Sequence, residues 1–236
     1  MVNSRPRQIS SDDLPYRQIR DDLFAGRYEP GAKLRIEELT ATYDFGASQI
    51  RETLSRLAAT GLIVYEAQRG YRVAQVSAEE YDDLVAMRLR LEPEALRQSI
   101  EHGTLEWESN VVATFHRLST MHGKLYEGSM NAYQNWARED RAFHAALISA
   151  CRSPWLLRFS GMLIEQVARY HRDSILRGSL PMKETEEEHK RLMEAALQRN
   201  ADLAGDLLHQ HIVSVSKRIR DAIEAHGKAS GASAIG

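Results

Sequence analysis

One stretch narrows the folds open to this chain more than any other. LIVYEAQRGYRVAQV, residues 62–76, alternates apolar and polar side chains around a central Arg69-Gly70. Period-two alternation marks a strand with one covered face, and the interruption at glycine makes two short strands joined as a hairpin. From Ser77 onward no strand signal recurs. The chain is therefore expected to be mainly α, with its β element closing the N-terminal third.

What precedes the hairpin has helical spacing. Residues 1–11 are polar and expected to be flexible. A first helix has Leu14, Ile19 and Leu23 on one face, Ser11 or Asp12 as N-cap, and a stop at Gly26. Pro30-Gly31 forces a turn. IEELTATYDF forms a second helix, burying Ile36, Leu39 and Tyr43. SQIRETLSRLAATG forms a third, burying Ile50, Leu54 and Leu57, with Ser48 able to cap it. Helix, helix, helix, hairpin over residues 12–76 is the order of a winged helix-turn-helix. After it, Ser77 and Glu80 form a capping-box signal. Helical periodicity then continues over residues 77–226, broken at His102-Gly103, Gly128-Ser129, Arg152-Ser153-Pro154, Gly178-Ser179 and near Asn200. That predicts an all-α bundle of six or seven helices with a core of its own. GKASGASAIG, residues 227–236, is expected to be a flexible tail.

A winged helix would place its third helix in the major groove of double-stranded DNA. Ser48, Gln49 and Arg51 would face base edges, since glutamine pairs with adenine and arginine with guanine. The wing would add Arg69 and Arg72, with Gly70 permitting close backbone approach. Arg35 and Arg56 belong to the same basic set. Yet residues 1–76 carry 11 Lys/Arg against 10 Asp/Glu, a net of +1. Phosphate neutralisation usually needs more. On pattern alone, a DNA reader and a small protein-interaction domain both stay open.

The run GRYEPGAKLRIEELTATYDFGASQIRETLSRLAATGLIVYEAQRGYRVA resembles the DNA-binding domain of the GntR superfamily of bacterial transcription regulators. Its landmarks are Pro30-Gly31, Leu34, Glu38-Leu39, Arg51-Glu52-x-Leu54, Leu57, Gly61-Leu62-Ile63 and Arg69-Gly70-x-x-Val73. The resemblance implies that Arg51 contacts DNA and that Arg69 and Gly70 enter the minor groove. Two positions depart from it. Ala47-Ser48-Gln49 stands where many members have Arg-Thr-Pro, and Glu37 where many have arginine. An operator differing from the common half-site is the expected consequence.

The helical region poses a second question. Asp140 and His144, in EDRAFH, are four residues apart and share a helix face. His189 and His211 sit on the apolar stripes of two later helices. A buried histidine is commonly just hydrogen-bonded. Three imidazoles and a carboxylate also suit a divalent metal, Zn²⁺ first and Ni²⁺ or another first-row ion next. On residues alone the two readings stand level.

Three segments, LRLEPEALRQSI, DRAFHAALISACRSPWL and EEEHKRLMEAALQRNADLAGDLLHQHI, resemble the effector-binding FCD domain of the FadR subfamily. Metal-binding members use one Asp and three His from three helices, which here are Asp140, His144, His189 and His211. The resemblance implies that the metal orients a small carboxylate effector. Arg88 is the first candidate contact, against the alternative of an ion pair with Glu92, and Arg169 and Tyr170 are further candidates. YDFGASQIRETL, ALISAC and VARYHR look closest to the branch of carbon-starvation-induced regulators, implying a five-carbon dicarboxylate.

The leading expectation is a homodimeric, ligand-responsive repressor on a two-fold operator, and not an enzyme. A metal-responsive regulator, with the ion as signal, uses the same ligands. A metal-dependent hydrolase would need a positioned base. Only Glu139, Glu187 and Glu188 lie near the ligands in sequence, and all three read as solvent-face charges. A single cysteine, Cys151, no apolar run of membrane-spanning length and no signal peptide lead to the expectation of a cytoplasmic protein without a membrane partner.

Overall fold

The computed structural model describes residues 13–125, 130–176 and 182–233. It divides into two compact units, Met1–Gln75 and Val76–Gly236. The expected flexible N-terminus and the breaks at Gly128-Ser129 and Gly178-Ser179 lie outside the described residues, as do Ser11 and Asp12.

In the first unit, α1 (Asp13–Phe24), α2 (Ile36–Tyr43) and α3 (Ala47–Ala59) pack with three short strands, β1 (Lys33–Leu34), β2 (Ile63–Glu66) and β3 (Gly70–Val73). Ile19, Phe24, Leu34, Leu39, Ile50, Leu54, Leu57, Leu62 and Ile63 are buried. On α1 Pro15, Ile19 and Phe24 are buried, whereas of the residues expected on the apolar face Leu14 is exposed and Leu23 only partly buried. α2 buries Leu39 fully but Ile36 and Tyr43 only in part. The Tyr43 hydroxyl instead donates to Asp22 Oδ2 at 2.5 Å.

The hairpin is the expected one, β2 and β3 pairing antiparallel with Tyr65 opposite Tyr71 and Glu66 opposite Gly70. A third strand joins it. β1 pairs with β3, Lys33 opposite Arg72, and gives the order β1-β3-β2. Two residues are too few to display a period, so the pattern did not reveal β1. Gly46 occupies the N-cap of α3 in extended backbone, and Gln49 Oε1 accepts from Gly46 N at 3.2 Å. Ser48 therefore lies inside the first turn and is not the cap.

The second unit is all helical among the described residues: α4 (Ala78–His102), α5 (Leu105–Leu125), α6 (Met130–Ile148), α7 (Pro154–Leu176), α8 (Met182–Leu197) and α9 (Ala201–Ser233). Ser77 caps α4 by accepting from Glu80 N at 3.0 Å. Glu80 does not complete a reciprocal box. Its carboxylate takes hydrogen bonds from Arg169 (3.0 Å) and from the Tyr170 hydroxyl, fastening the start of α4 to α7. Pro154 opens α7, where its missing N–H is harmless. Arg199 takes a left-handed φ of 58° and Asn200 Oδ1 caps α9. α9 runs on to Ser233, through most of the segment expected as a tail, because extending a formed helix is far cheaper than nucleating one. Leu96, Trp107, Val111, Leu118, Tyr133, Trp136, Phe143, Leu147, Leu192, Leu208 and Ile212 fill one core.

Candidate functional site

Two sites emerge, one in each unit. In the first, a cleft of about 540 Å³ is lined by Lys33, Arg35, Glu37, Arg51, Tyr65, Arg69, Gly70 and Tyr71, among others. It brings the start of α2, the exposed face of α3 and the hairpin to one surface. Arg51 is exposed and makes no hydrogen bond or ion pair among the described residues. Arg69 reaches only a long ion pair with Glu66, at 3.9 Å, and its side chain is 77% exposed. Gly70 has φ +85°, and a Cβ placed there would meet nothing within 4 Å. The open space before it suits a closely approaching ligand backbone. Ser55 and Tyr71 hydroxyls, 3.0 Å apart, tie the hairpin to α3.

Other members of the basic set do less. Arg35 is paired with Glu38 at 2.6 Å. Arg72 donates to the Gly31 carbonyl and pairs with Glu66, so it braces the sheet. Arg56 stacks over the Tyr16 ring, 4.6 Å from its centroid, and does not line the cleft. Ser48 and Gln49 are exposed at the start of α3 but are not among the cleft's lining residues. Tyr65 and Tyr71, which the sequence reading passed over, line it, their rings 5.1 Å apart.

The second site lies inside the bundle. Asp140 and His144 project from α6, His189 from α8 and His211 from α9, and all four are buried. One ring nitrogen of each histidine lies within 4.8 Å of the others. Asp140 Oδ1 stands 3.6 Å from His189 Nε2 and 4.0 Å from His144 Nε2. Donors about 2.0–2.2 Å from a tetrahedral ion would sit roughly 3.4 Å apart, so a modest contraction would close this set on a metal.

His189 is fully buried, and neither ring nitrogen has a hydrogen-bond partner among the described residues. Unpaired buried polar groups are costly and rare. Desolvation pushes the pKa values of His144 and His189 well below the ordinary value, aided by the neighbouring His211. Neutral imidazoles have the free lone pairs that ligation needs. Desolvation also raises the Asp140 carboxyl to about 6, against the pull of His211, Arg141 and Arg88. His211 Nδ1 donates to Glu188 Oε2 at 2.8 Å, leaving Nε2 for the cluster. Glu188, read from sequence as a solvent-face charge, holds the His211 ring instead. Glu139 is also buried, bound by Arg117 and Arg138.

A cavity of about 20 Å³ adjoins these residues, lined by Arg88, Trp136, Arg141, His171 and Thr185 beside Asp140, His144 and His211. Arg88 reaches it while making a bidentate pair with Glu92, at 2.5 and 3.1 Å. The pair with Glu92 is real but buried, not on the surface. Desolvation, with the nearby Arg88 and His211 charges, pushes His171 down to about 3. Arg141 and His171 went unnoticed in the sequence. Arg169 and Tyr170 do not line the cavity and are engaged with Glu80.

Residues 16–73 match the family described as bacterial regulatory proteins, gntR family, and residues 83–214 match the FCD domain. The chain is 38% identical over 208 residues to the uncharacterized HTH-type transcriptional regulator BphR of Paraburkholderia xenovorans, spanning 88% of this chain and 84% of that one. It is 32% identical over 212 residues to the HTH-type transcriptional repressor GlaR of Escherichia coli, spanning 88% and 95%. Among solved structures it resembles E. coli McbR/YncC with a TM-score of 0.75 at 18% identity, over 91% of this chain and 99% of that one, a likeness of fold.

Proposed function

The chain belongs to the gntR family of bacterial regulatory proteins and carries an FCD domain, and from that premise we propose a ligand-responsive repressor in which a metal-bound carboxylate releases the operator. It is a transcription regulator and not an enzyme. The finer reading concerns how it senses and what it holds.

The cleft of the first unit takes double-stranded DNA. Arg51 meets base edges, Arg69 and Gly70 meet the minor groove, and Arg35, Ser48 and Gln49 contact the flanks. Arg72 and Arg56 act indirectly, by bracing the sheet and α1. Two copies of the chain bind the two halves of a symmetric operator. The similarity to a named repressor supports the sign of regulation.

In the second unit, Asp140, His144, His189 and His211 hold a divalent ion, Zn²⁺ being the best fit to three imidazoles and one carboxylate. The single observation that carries this reading is His189, fully buried among those ligands with both ring nitrogens unpaired. The bound ion would supply a Lewis-acidic position for one carboxylate oxygen of the effector. Arg88, Arg141 and His171 surround the adjoining space. Two guanidinium groups there suit a second carboxylate, in keeping with a C5 dicarboxylate. A cavity of about 20 Å³ has room for about one water. Effector entry therefore requires the surrounding side chains or helices to part, which is how binding would bias the regulator between two states.

That small volume also favours a second reading, in which the ion itself is the signal. One experiment separates the two. Operator binding and thermal unfolding are measured with a panel of dicarboxylates, before and after chelation. Stabilisation and operator release by one acid, both lost with chelator, support the effector reading. Insensitivity to every acid, with release on metal removal alone, supports the metal-responsive one. Retention of the operator under all conditions rejects both.

A further inference from the structure

One buried imidazole belongs to neither site. His122, near the end of α5, is 2% exposed, and neither of its ring nitrogens has a hydrogen-bond partner among the described residues. It does not line the cavity of the helical unit, and it stands outside the group of histidines close enough to share an ion. An apolar side chain would fill the same place without the cost of an unpaired polar group in a core. The neighbour it faces is His189, with ring centroids 6.0 Å apart and planes tilted by 52°. His189 is in the same condition, so two adjacent imidazoles hold four unpaired nitrogens.

The facing follows from how α5 and α8 pack. Ser119 Oγ donates to Glu186 Oε1 at 2.7 Å from one helix to the other. A step of three residues along each helix from that pair leads to His122 and His189. Residues three apart share a helix face, so the hydrogen bond and the ring pair are successive rungs between the same two faces. The Glu186 charge also acts on the His122 ring.

We infer that His122 is a positioning residue for the metal ligand His189. This rests on the metal reading of Asp140, His144, His189 and His211 and deepens it. His189 Nε2 is the nitrogen turned to Asp140, at 3.6 Å, so ligation there leaves the Nδ1–H in need of an acceptor. Ligating histidines almost always donate that second N–H, which fixes the tautomer and the ring. Glu188 already stands against Nδ1 of His211. Beside His189 the polar side chain in place is His122. A neutral imidazole accepts at one nitrogen and donates at the other. His122 therefore takes the Nδ1–H of His189, directly or through one water, and gives its own N–H to the Glu186 carboxylate that Ser119 holds.

The test uses Zn²⁺ and the full-length chain. Zinc affinity is measured by chelator competition, beside the melting temperature of the metal-free protein and the visible spectrum of the Co²⁺-loaded one. His122→Leu lowers zinc affinity about 10–100-fold and shifts the Co²⁺ bands. The metal-free variant melts no lower than wild type, since an unpaired polar group has left the core. His122→Gln, which still accepts and donates, recovers part of the affinity. Glu186→Gln, at a half-buried position, lowers it by a smaller factor. Wild-type zinc affinity in His122→Leu overturns the role while leaving the four-ligand site standing. An affinity loss that His122→Gln does not recover reflects packing alone and overturns it as well. A wild-type chain that binds no zinc overturns the metal reading and this inference together.

Discussion

His189 poses the sharpest question at the scale of a residue, since an imidazole fully buried with both nitrogens unpaired costs stability unless something else engages it. Ligation would resolve that, and His189→Ala is expected to reduce zinc per chain from near one equivalent to background by elemental analysis. Glu188 sets the next test. Its hydrogen bond fixes His211, so Glu188→Gln is expected to weaken zinc affinity about 10–100-fold in chelator competition while leaving the fold intact. Arg88 needs a different experiment, because its guanidinium neutralises Glu92 in the interior. Arg88→Met strands a carboxylate that is 1% exposed and is expected to cost about 3–5 kcal/mol in urea unfolding. Replacing both, by Arg88→Met with Glu92→Leu, is expected to recover much of that loss. Loss of effector response in an Arg88 single variant therefore needs this control. Of the four candidate ligands, His189 and His211 were legible in sequence because each sits on an apolar helical stripe, and Asp140 and His144 because their four-residue spacing puts both on one helix face. Arg141, His171 and Glu188 were not, because a charged residue on a helix reads as solvated until the neighbouring helices are in place.

Among the elements, the hairpin was the easiest to foresee and β1 the hardest. Fifteen alternating residues carry a period, and two do not. The basic surface shows the same division. The sequence supplied eight candidate DNA contacts, and the packing sorts them by what else each one does. Arg51 is committed to no partner among the described residues, whereas Arg56 lies on Tyr16 and helps seat α1 against α3. Arg51→Ala is thus expected to weaken operator binding by about 1–3 kcal/mol in a gel-shift titration, relaxing base preference at one position. Arg56→Ala is expected to change affinity much less and to show its cost in unfolding. Gly70→Glu combines a strained positive φ with a misplaced charge, and operator affinity falls further than stability does.

Across the whole molecule, the two units carry separate cores, so heat is expected to unfold them in separate transitions. Chelation should then act on one. If zinc is present at about a hundred times its dissociation constant, its removal costs roughly 2.7 kcal/mol. That is a downward shift of about 5–10 °C for a unit of this size. Calorimetry should place the shift in the helical unit, with the transition of residues 1–75 unmoved. A shift of both transitions would mean that the units unfold as one. The division after Gln75 could be approached from sequence because the texture changes there from alternation to helical periodicity. What the texture does not convey is the clasp just beyond it, where Arg169 and Tyr170 hold Glu80. That clasp has a practical meaning for grafting. A reader head from a related regulator can be spliced on at residues 75–76, because the splice leaves the donor's own sequence free to end there while Ser77 and Glu80 travel with the bundle they anchor. Moving the splice five residues downstream would import a foreign side chain at position 80, and the chimera would carry a new head on an unlatched first helix.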